Sequence, residues 1–259
     1  MLTEEDIRRI ARVRGMNVGL TEKDYAIDWL LKGIYASKIG KSLLFKGGTA
    51  IKKVYFQETW RFSHDVDFTA LNLKISDMEN LLNEVFRNIE SESSVRMDFG
   101  SFHKTEGSII ASVQFIGPLN AKNRIRVDIT FNEKVIEKPA HKTIKSPYPD
   151  IESYSVYAYS LNEVLAEKIR SIIQRGKSRD YYDVWLLLKT QEFDMKKIRE
   201  LLDEKCRFKG IEFRKELIFE KEKRKTAKSF WEAGLKELVK NLPDFEQVIN
   251  ELELMLKKL

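Results

Sequence analysis

The 259-residue chain carries 46 Lys plus Arg against 40 Asp plus Glu, a formal balance of +6, and 42% of its residues are hydrophobic, with 15 Phe, 9 Tyr and 4 Trp. That is enough apolar surface for a real core, so a disordered chain is excluded. The single cysteine, Cys206, excludes an internal disulfide or a cysteine-clustered zinc site, and with only His64, His103 and His141 any metal must be held by carboxylates. No apolar run approaches the ~20 residues that span a bilayer, and the N-terminus lacks a signal-peptide core, so a cytoplasmic location is expected.

The first periodic segment follows Thr21-Glu-Lys-Asp24, a capping-like signal, with Ile27, Leu30, Leu31, Ile34 and Tyr35 at helical spacing. Leu43-Leu44-Phe45 then leads through Lys46-Gly47-Gly48-Thr49 into Ala50, Ile51, Val54 and Tyr55, a pattern of strand, glycine turn and helix. His64–Thr69 alternates as a half-buried strand does, and Ser76-Asp-Met-Glu79 opens a helix with stripe Met78, Leu81, Leu82, Val85, Phe86 and Ile89. Strands are predicted at Val95–Phe99, Ile109–Ile116 and Arg124–Phe131, and Asn132–Tyr159, which holds three of the five prolines, is predicted to be irregular. Beyond it only helices are predicted. Ser160-Leu-Asn-Glu163 caps the first, and others follow near Arg179–Lys189, Lys196–Cys206, Thr226–Lys240 and Pro243–Leu259. The chain therefore divides into an α/β domain over 1–155 and a helical domain over 156–259. The charged run Lys221–Lys225 suits a solvated helix or loop, with a nucleic-acid contact as the alternative.

Asp65 and Asp67, two apart on a strand, leave the same face with a spacing suited to one or two hard cations such as Mg²⁺, with Mn²⁺ as an alternative. Two carboxylates on a solvated sheet face are the competing explanation. Upstream, Gly47-Gly48-Thr49 can offer backbone N–H groups and a hydroxyl to phosphate oxygens at a helix start, although a plain tight turn has the same composition. Neither Gly-x-x-x-x-Gly-Lys-Ser/Thr nor Gly-x-Gly-x-x-Gly is present, which disfavours two common nucleotide folds. Asp128, within Arg124-Ile-Arg-Val-Asp-Ile-Thr-Phe131, would complete a set of three carboxylates if its strand lies beside that of Asp65 and Asp67. Three close acids need metal, protons or basic neighbours to compensate their repulsion.

A glycine turn with a small hydroxyl residue, then Asp-x-Asp on the next strand, then a single Asp on a later strand resembles the DNA polymerase beta-like nucleotidyltransferase superfamily. More narrowly, Phe45-Lys-Gly-Gly-Thr-Ala50 and Arg61-Phe-Ser-His-Asp-Val-Asp-Phe68 resemble the AbiEii/AbiGii toxin family, which includes the MenT-type toxins. Glu167-Lys-Ile-Arg170 and Arg175-Gly-Lys-Ser-Arg-Asp-Tyr-Tyr-Asp-Val-Trp185 match that family's helical signature, so the likeness runs from about residue 43 to 189. The Thr49–Asp65 interval exceeds the minimal superfamily pattern, and His64 stands where the family often has an acid. The resemblance implies an α+β fold, with a polymerase beta-like mixed sheet, flanking helices and a C-terminal helical domain. It also implies transfer of a nucleoside monophosphate from an NTP to an acceptor such as a tRNA or other RNA 3′ end, in a toxin–antitoxin or phage-defence pair with a cognate antitoxin. Asp65, Asp67 and Asp128 would bind Mg²⁺; Gly47, Gly48, Thr49, Arg61, Ser63 and Lys168 would bind the nucleotide; Lys168 and Asp183 would join the three aspartates in catalysis.

Lys168 has an independent argument. It falls on the apolar stripe of Leu161, Val164, Leu165 and Ile172, where an ordinary surface lysine should not be, while Asp183 sits among Tyr182, Val184 and Trp185. A Lys168–Asp183 ion pair is the structural explanation and an active-site role the functional one, with Arg61, Arg175, Lys177 and Arg179 adding positive charge. Two other functions remain open: a non-catalytic nucleotide-binding or protein-interaction module, and transfer to a small-molecule or protein hydroxyl. Base selection, oligomeric state and the role of residues 207–259 have no signature in the sequence.

Overall fold

The computed structural model describes residues 1–259 apart from Glu58 and Ser94. Two compact units emerge: Met1–Glu58, Ser63–Glu133 and Pro139–Ala158 form the first, and Thr59–Phe62, Lys134–Lys138 and Tyr159–Leu259 the second. Among the described residues no helix is long and apolar enough to cross a membrane.

The first unit opens with α1 (Glu4–Arg14), whose N-cap Thr3 and Asp6 satisfy each other's backbone N–H groups in a capping box. Next comes α2 (Val18–Ala36), which starts at Asn17 rather than in the Thr21 segment. The Asn17 carboxamide accepts from the N–H groups of Gly19 and Leu20, so Thr21 and Asp24 lie inside the helix, buried. After β1 (Leu43–Lys46) the chain enters α3 (Gly47–Ala50), which continues as a wider π-type turn over Ile51–Tyr55. Then follow β2 (Asp65–Ala70), α4 (Met78–Ser93), β3 (Arg96–Lys104), β4 (Ser108–Ile116), β5 (Lys122–Thr130), β6 (Ala140–Ile144) and β7 (Tyr154–Ala158).

All seven strands join one mixed sheet in the order β3-β4-β5-β2-β1-β7-β6. β2 runs parallel to β5 and antiparallel to β1, and β7 runs parallel to β1. Residues 132–159 thus supply two strands, contrary to the irregular chain expected there. Proline spacing hid them: Pro147 and Pro149 sit in the β6–β7 connection, and the strands themselves are only five residues each. The alternation in β2 and β5 sends Val66, Phe68, Val127 and Ile129 into the core, where they are at most 1% exposed, together with Leu30, Leu31 and Ile34 of α2 and Val85 and Phe86 of α4. The opposite residues of the same strands are Asp65, Asp67, Arg126 and Asp128.

The second unit contains α5 (Leu161–Arg175), α6 (Ser178–Thr190), α7 (Met195–Phe208), α8 (Lys221–Ser229), α9 (Trp231–Leu235) and α10 (Phe245–Met255). Ser160 caps α5 by accepting from the Glu163 N–H, and Gly176 ends it in the left-handed conformation. α5 packs on α6 and α7, and α6 on α9 and α10. The helix expected over Thr226–Lys240 is two short pieces, α8 and α9, parted at Phe230.

Candidate active site

Register brings the three aspartates together. Asp67 and Asp128 are direct partners across the parallel β2–β5 pair, and Asp65 is opposite Arg126. Because side chains alternate, Asp65, Asp67 and Asp128 share one face of the sheet. Arg126 compensates part of their repulsion: its Nε and Nη2 donate to Asp128 Oδ2 at 3.2 and 3.0 Å. This contact holds the guanidinium above its ordinary pKa against the opposing effect of burial, and the fields of Asp65 and Asp67 add to it. The other Asp128 oxygen, Oδ1, is buried and has no hydrogen-bond partner among the described residues. Among those residues no group of three or more His, Cys, Asp or Glu side chains is placed so as to hold a metal ion by itself.

The glycine turn meets this face from β1, whose Lys46 is the Cα partner of Asp67. Gly47 has φ +78°, a conformation costly for any residue with a Cβ, and a Cβ there would overlap Asp67 Oδ2. Glycine is therefore required both for the turn and for the room that the Asp67 carboxylate occupies. Thr49 is fully buried, and its hydroxyl lies between Ser63 Oγ, at 2.9 Å, and the Asp65 carbonyl oxygen. One hydroxyl proton serves one acceptor. The Thr49 hydroxyl therefore shares its proton between Ser63 Oγ and the Asp65 carbonyl as alternative acceptors, and these contacts pin the start of β2.

The remaining expected residues meet within the helical unit. Arg61 Nε and Nη2 donate to the two oxygens of Asp183 at 2.6 and 2.7 Å, a bidentate pair between side chains at most 3% exposed. Lys168 Nζ lies 2.8 Å from Asp183 Oδ2 and 3.5 Å from Asp180 Oδ1. Burial works against each of these charges, yet Arg61 and Lys168 together hold the Asp183 carboxyl below its ordinary pKa, and the two aspartates hold the Lys168 ammonium above its own. Arg175 is tied to Asp180 through Nε and Nη2 at 2.9 and 3.0 Å.

A profile of the AbiEii nucleotidyl transferase toxins of type IV toxin–antitoxin systems matches residues 29–251. The chain belongs to the AbiEii toxin family. It is a nucleotidyltransferase. Among solved structures, MenT4, a nucleotidyltransferase toxin from Mycobacterium tuberculosis H37Rv, superposes with a TM-score of 0.72 at 17% identity, over 99% of this chain and 89% of that one. A protein from H. pylori assigned as a nucleotidyltransferase gives 0.56 at 18% identity over 92% of each chain. These likenesses establish the shared α+β fold. No curated protein gives a significant match.

In this AbiEii-family chain several buried polar groups escaped sequence reasoning. Lys205, fully buried, lies 2.7 Å from Glu163 Oε1 and donates to the Lys134 carbonyl, while Glu163 also accepts from the N–H groups of Ile136 and Glu137. The sequence pattern marks Glu163 only as part of the cap of α5. Asp24 and Asp28 of α2 meet Lys53 Nζ at 2.8 Å each. Their signal was present in the sequence: Thr21, Asp24 and Asp28 recur at helical spacing inside an apolar segment. Two members of the basic run of α8 are engaged within its unit, Lys223 with Glu220 at 2.6 Å and Arg224 with Glu246 at 3.4 Å, and Lys228 beyond the run also pairs with Glu246, at 2.8 Å.

Proposed function

We propose that the chain transfers a nucleoside monophosphate from an NTP to the 3′ end of an RNA, tRNA being the leading candidate, and that this reaction is the toxic activity neutralised by a cognate antitoxin. Such a reaction needs an NTP pool and hence a cytoplasmic site of action. The observation that carries the chemistry is the β2–β5 register, which makes Asp67 and Asp128 neighbours on the face that Asp65 shares. These are hard oxygen donors, and Asp128 Oδ1 is buried without a hydrogen-bond partner among the described residues. Mg²⁺ commonly takes one or two carboxylates and completes its shell with water and substrate phosphates, so an open acidic face suits it better than a closed cage. Asp65, Asp67 and Asp128 would hold it, with Mn²⁺ as a substitute. When bound it would neutralise phosphate charge and lower the pKa of the acceptor hydroxyl.

The chain's own residues supply positioning. Gly47 and Gly48 present backbone to the phosphates, Thr49 and Ser63 fix the strand that carries Asp65, and Asp128 accepts the acceptor hydroxyl's proton once Arg126 has released it. Lys168 supplies a fixed positive charge for the triphosphate, with Asp183 and Asp180 keeping it charged and Arg61 holding the Asp183 carboxylate in place.

The test is incubation with each α-labelled NTP, Mg²⁺ and total tRNA, alongside Asp65→Asn and Asp67→Asn. Label is expected on RNA with the wild type and lost by at least about 100-fold in either variant. No transfer from any NTP, or transfer undiminished in both variants, would remove the proposed chemistry. Label on a protein or a small molecule instead would move the acceptor.

A further inference from the structure

The solvent-facing residues of β5 form a line that leads to Asp128. Lys122, Arg124 and Arg126 precede it at every second position, so all four side chains leave the face opposite the buried Ile125, Val127 and Ile129. Successive members of this row stand ~6.8 Å apart, twice the rise of a strand residue. All three cations are exposed. Arg126 is held by Asp128, whereas the Lys122 ammonium and the Arg124 guanidinium make no hydrogen bond or ion pair among the described residues.

Exposed cations on a strand are ordinary by themselves; the surface beside them is not. β4 sets Ile110 opposite Asp128, Ser112 opposite Arg126 and Gln114 opposite Arg124, and β3 extends the same rows with His103, Ser101 and Asp98. Ile110 is 37% exposed, although β4 has a paired strand on each side. A solvated sheet face gains nothing from an isoleucine there. Around it, Ser101, Ser112 and Gly100 at the β3 bulge keep the surface low. Asp98 is the only acid in either strand, and its Oδ1 accepts from the Phe99 N–H at 2.7 Å.

We propose that the open face of β3, β4 and β5 is the docking surface for the single-stranded 3′ end of an RNA, a proposal that rests on the transfer reaction set out above for the direction in which the strand lies. Lys122 and Arg124 take successive phosphates, their even spacing suiting a polymer with one charge per unit. The last base lies on Ile110, and the bases before it meet Ser112, Gln114 and the His103 ring. The 3′ hydroxyl then reaches Asp128. A neutral hydroxyl is what such a strand brings to three carboxylates, whereas an acidic peptide would bring further carboxylates and leave Ile110 unused.

Binding of 5′-labelled total tRNA to the full chain, measured over a range of salt concentrations without NTP or divalent cation, tests the surface. Lys122→Ala/Arg124→Ala is expected to reduce the slope of log affinity against log salt by about 1.4, two phosphate contacts at ~0.7 each, which amounts to a loss of about 25-fold near 0.1 M salt. Its thermal midpoint and its NTP affinity in calorimetry are expected to match the wild type. Lys122→Arg/Arg124→Lys should keep the slope, and Ile110→Thr should weaken binding several-fold with the slope unchanged. A wild type that does not bind tRNA, wild-type slope and affinity in the alanine variant, or an equal loss in the charge-conserving variant overturns the proposal. So does competition by a polyglutamate peptide but not by single-stranded RNA, which would assign the face to an acidic protein. A wild type that binds tRNA through this row yet transfers no label would strike the reaction and leave the docking surface standing.

Discussion

Gly47 joins backbone conformation to chemistry at one atom. A methyl group there would both strain the positive φ and displace the Asp67 carboxylate, so Gly47→Ala is expected to cost about 1–2 kcal/mol of stability. The same change should remove nucleotidyl transfer, even where thermal denaturation shows a folded protein. Arg126 has the opposite expectation. Its guanidinium occupies an oxygen of Asp128 and lies in the field of Asp65 and Asp67, so Arg126→Gln should raise affinity for Mn²⁺ several-fold in a calorimetric titration. At this scale the placement of these residues was legible, because the glycine turn, Asp-x-Asp and a lone strand aspartate are local patterns. The Arg126–Asp128 contact is less legible: two positions apart on one strand they share its face, but the rotamer that joins them is a tertiary matter.

At the scale of single elements, α6 and the turn after α3 each carry a testable charge balance. Asp183 of α6 is held below its ordinary pKa by Arg61 and Lys168, despite its burial. The unfolded chain therefore takes up the Asp183 proton first as acid is added. This contribution is complete above about pH 4 and is lost as the pH falls through the lower folded value. Arg61→Ala should cost about 3–5 kcal/mol, seen as a lower urea midpoint, because it strips a buried carboxylate of its bidentate partner. Lys52 titrates with the opposite sense. Its folded pKa of about 8 lies below the unfolded value, so between the two the unfolded chain binds more protons and stability rises with pH. Lys52→Met should flatten the part of the stability profile that lies between about pH 8 and 10, read from urea midpoints across that range.

Elements with strong periodicity were readable in the sequence, as in α4, β4 and α5. The elements that were missed have physical reasons. α2 begins at Asn17 because that residue satisfies two N–H groups, whereas Thr21 is only one member of a buried polar row. β7 joins the sheet beside β1 with just five residues, and no local period of that length outweighs neighbouring prolines.

For the molecule as a whole, family membership and sheet order speak to the reaction class, while the acceptor must be found by experiment. Sequence motifs reached the sheet and the three aspartates because these depend on local patterns. The composition of the helical unit was less accessible, since it draws on Thr59–Phe62 and Lys134–Lys138, segments separated along the chain from the rest. Residues 159–259 expressed alone should therefore fail to give a cooperative thermal transition, lacking both Arg61 and the backbone groups at Lys134, Ile136 and Glu137.

The short motif from Arg61 to Asp67 has a corresponding consequence for inheritance. Arg61 serves Asp183, 122 residues away, while Asp65 and Asp67, only a few positions on, belong to the sheet. A recombination event that exchanged everything after residue 158 for the same stretch of a divergent relative would bring in a new partner for Arg61 and leave the old arginine behind. Such chimaeras would be penalised wherever the incoming helix does not carry an acid at the matching place. The two units are therefore expected to descend together, and exchange between lineages to succeed when it transfers the whole gene.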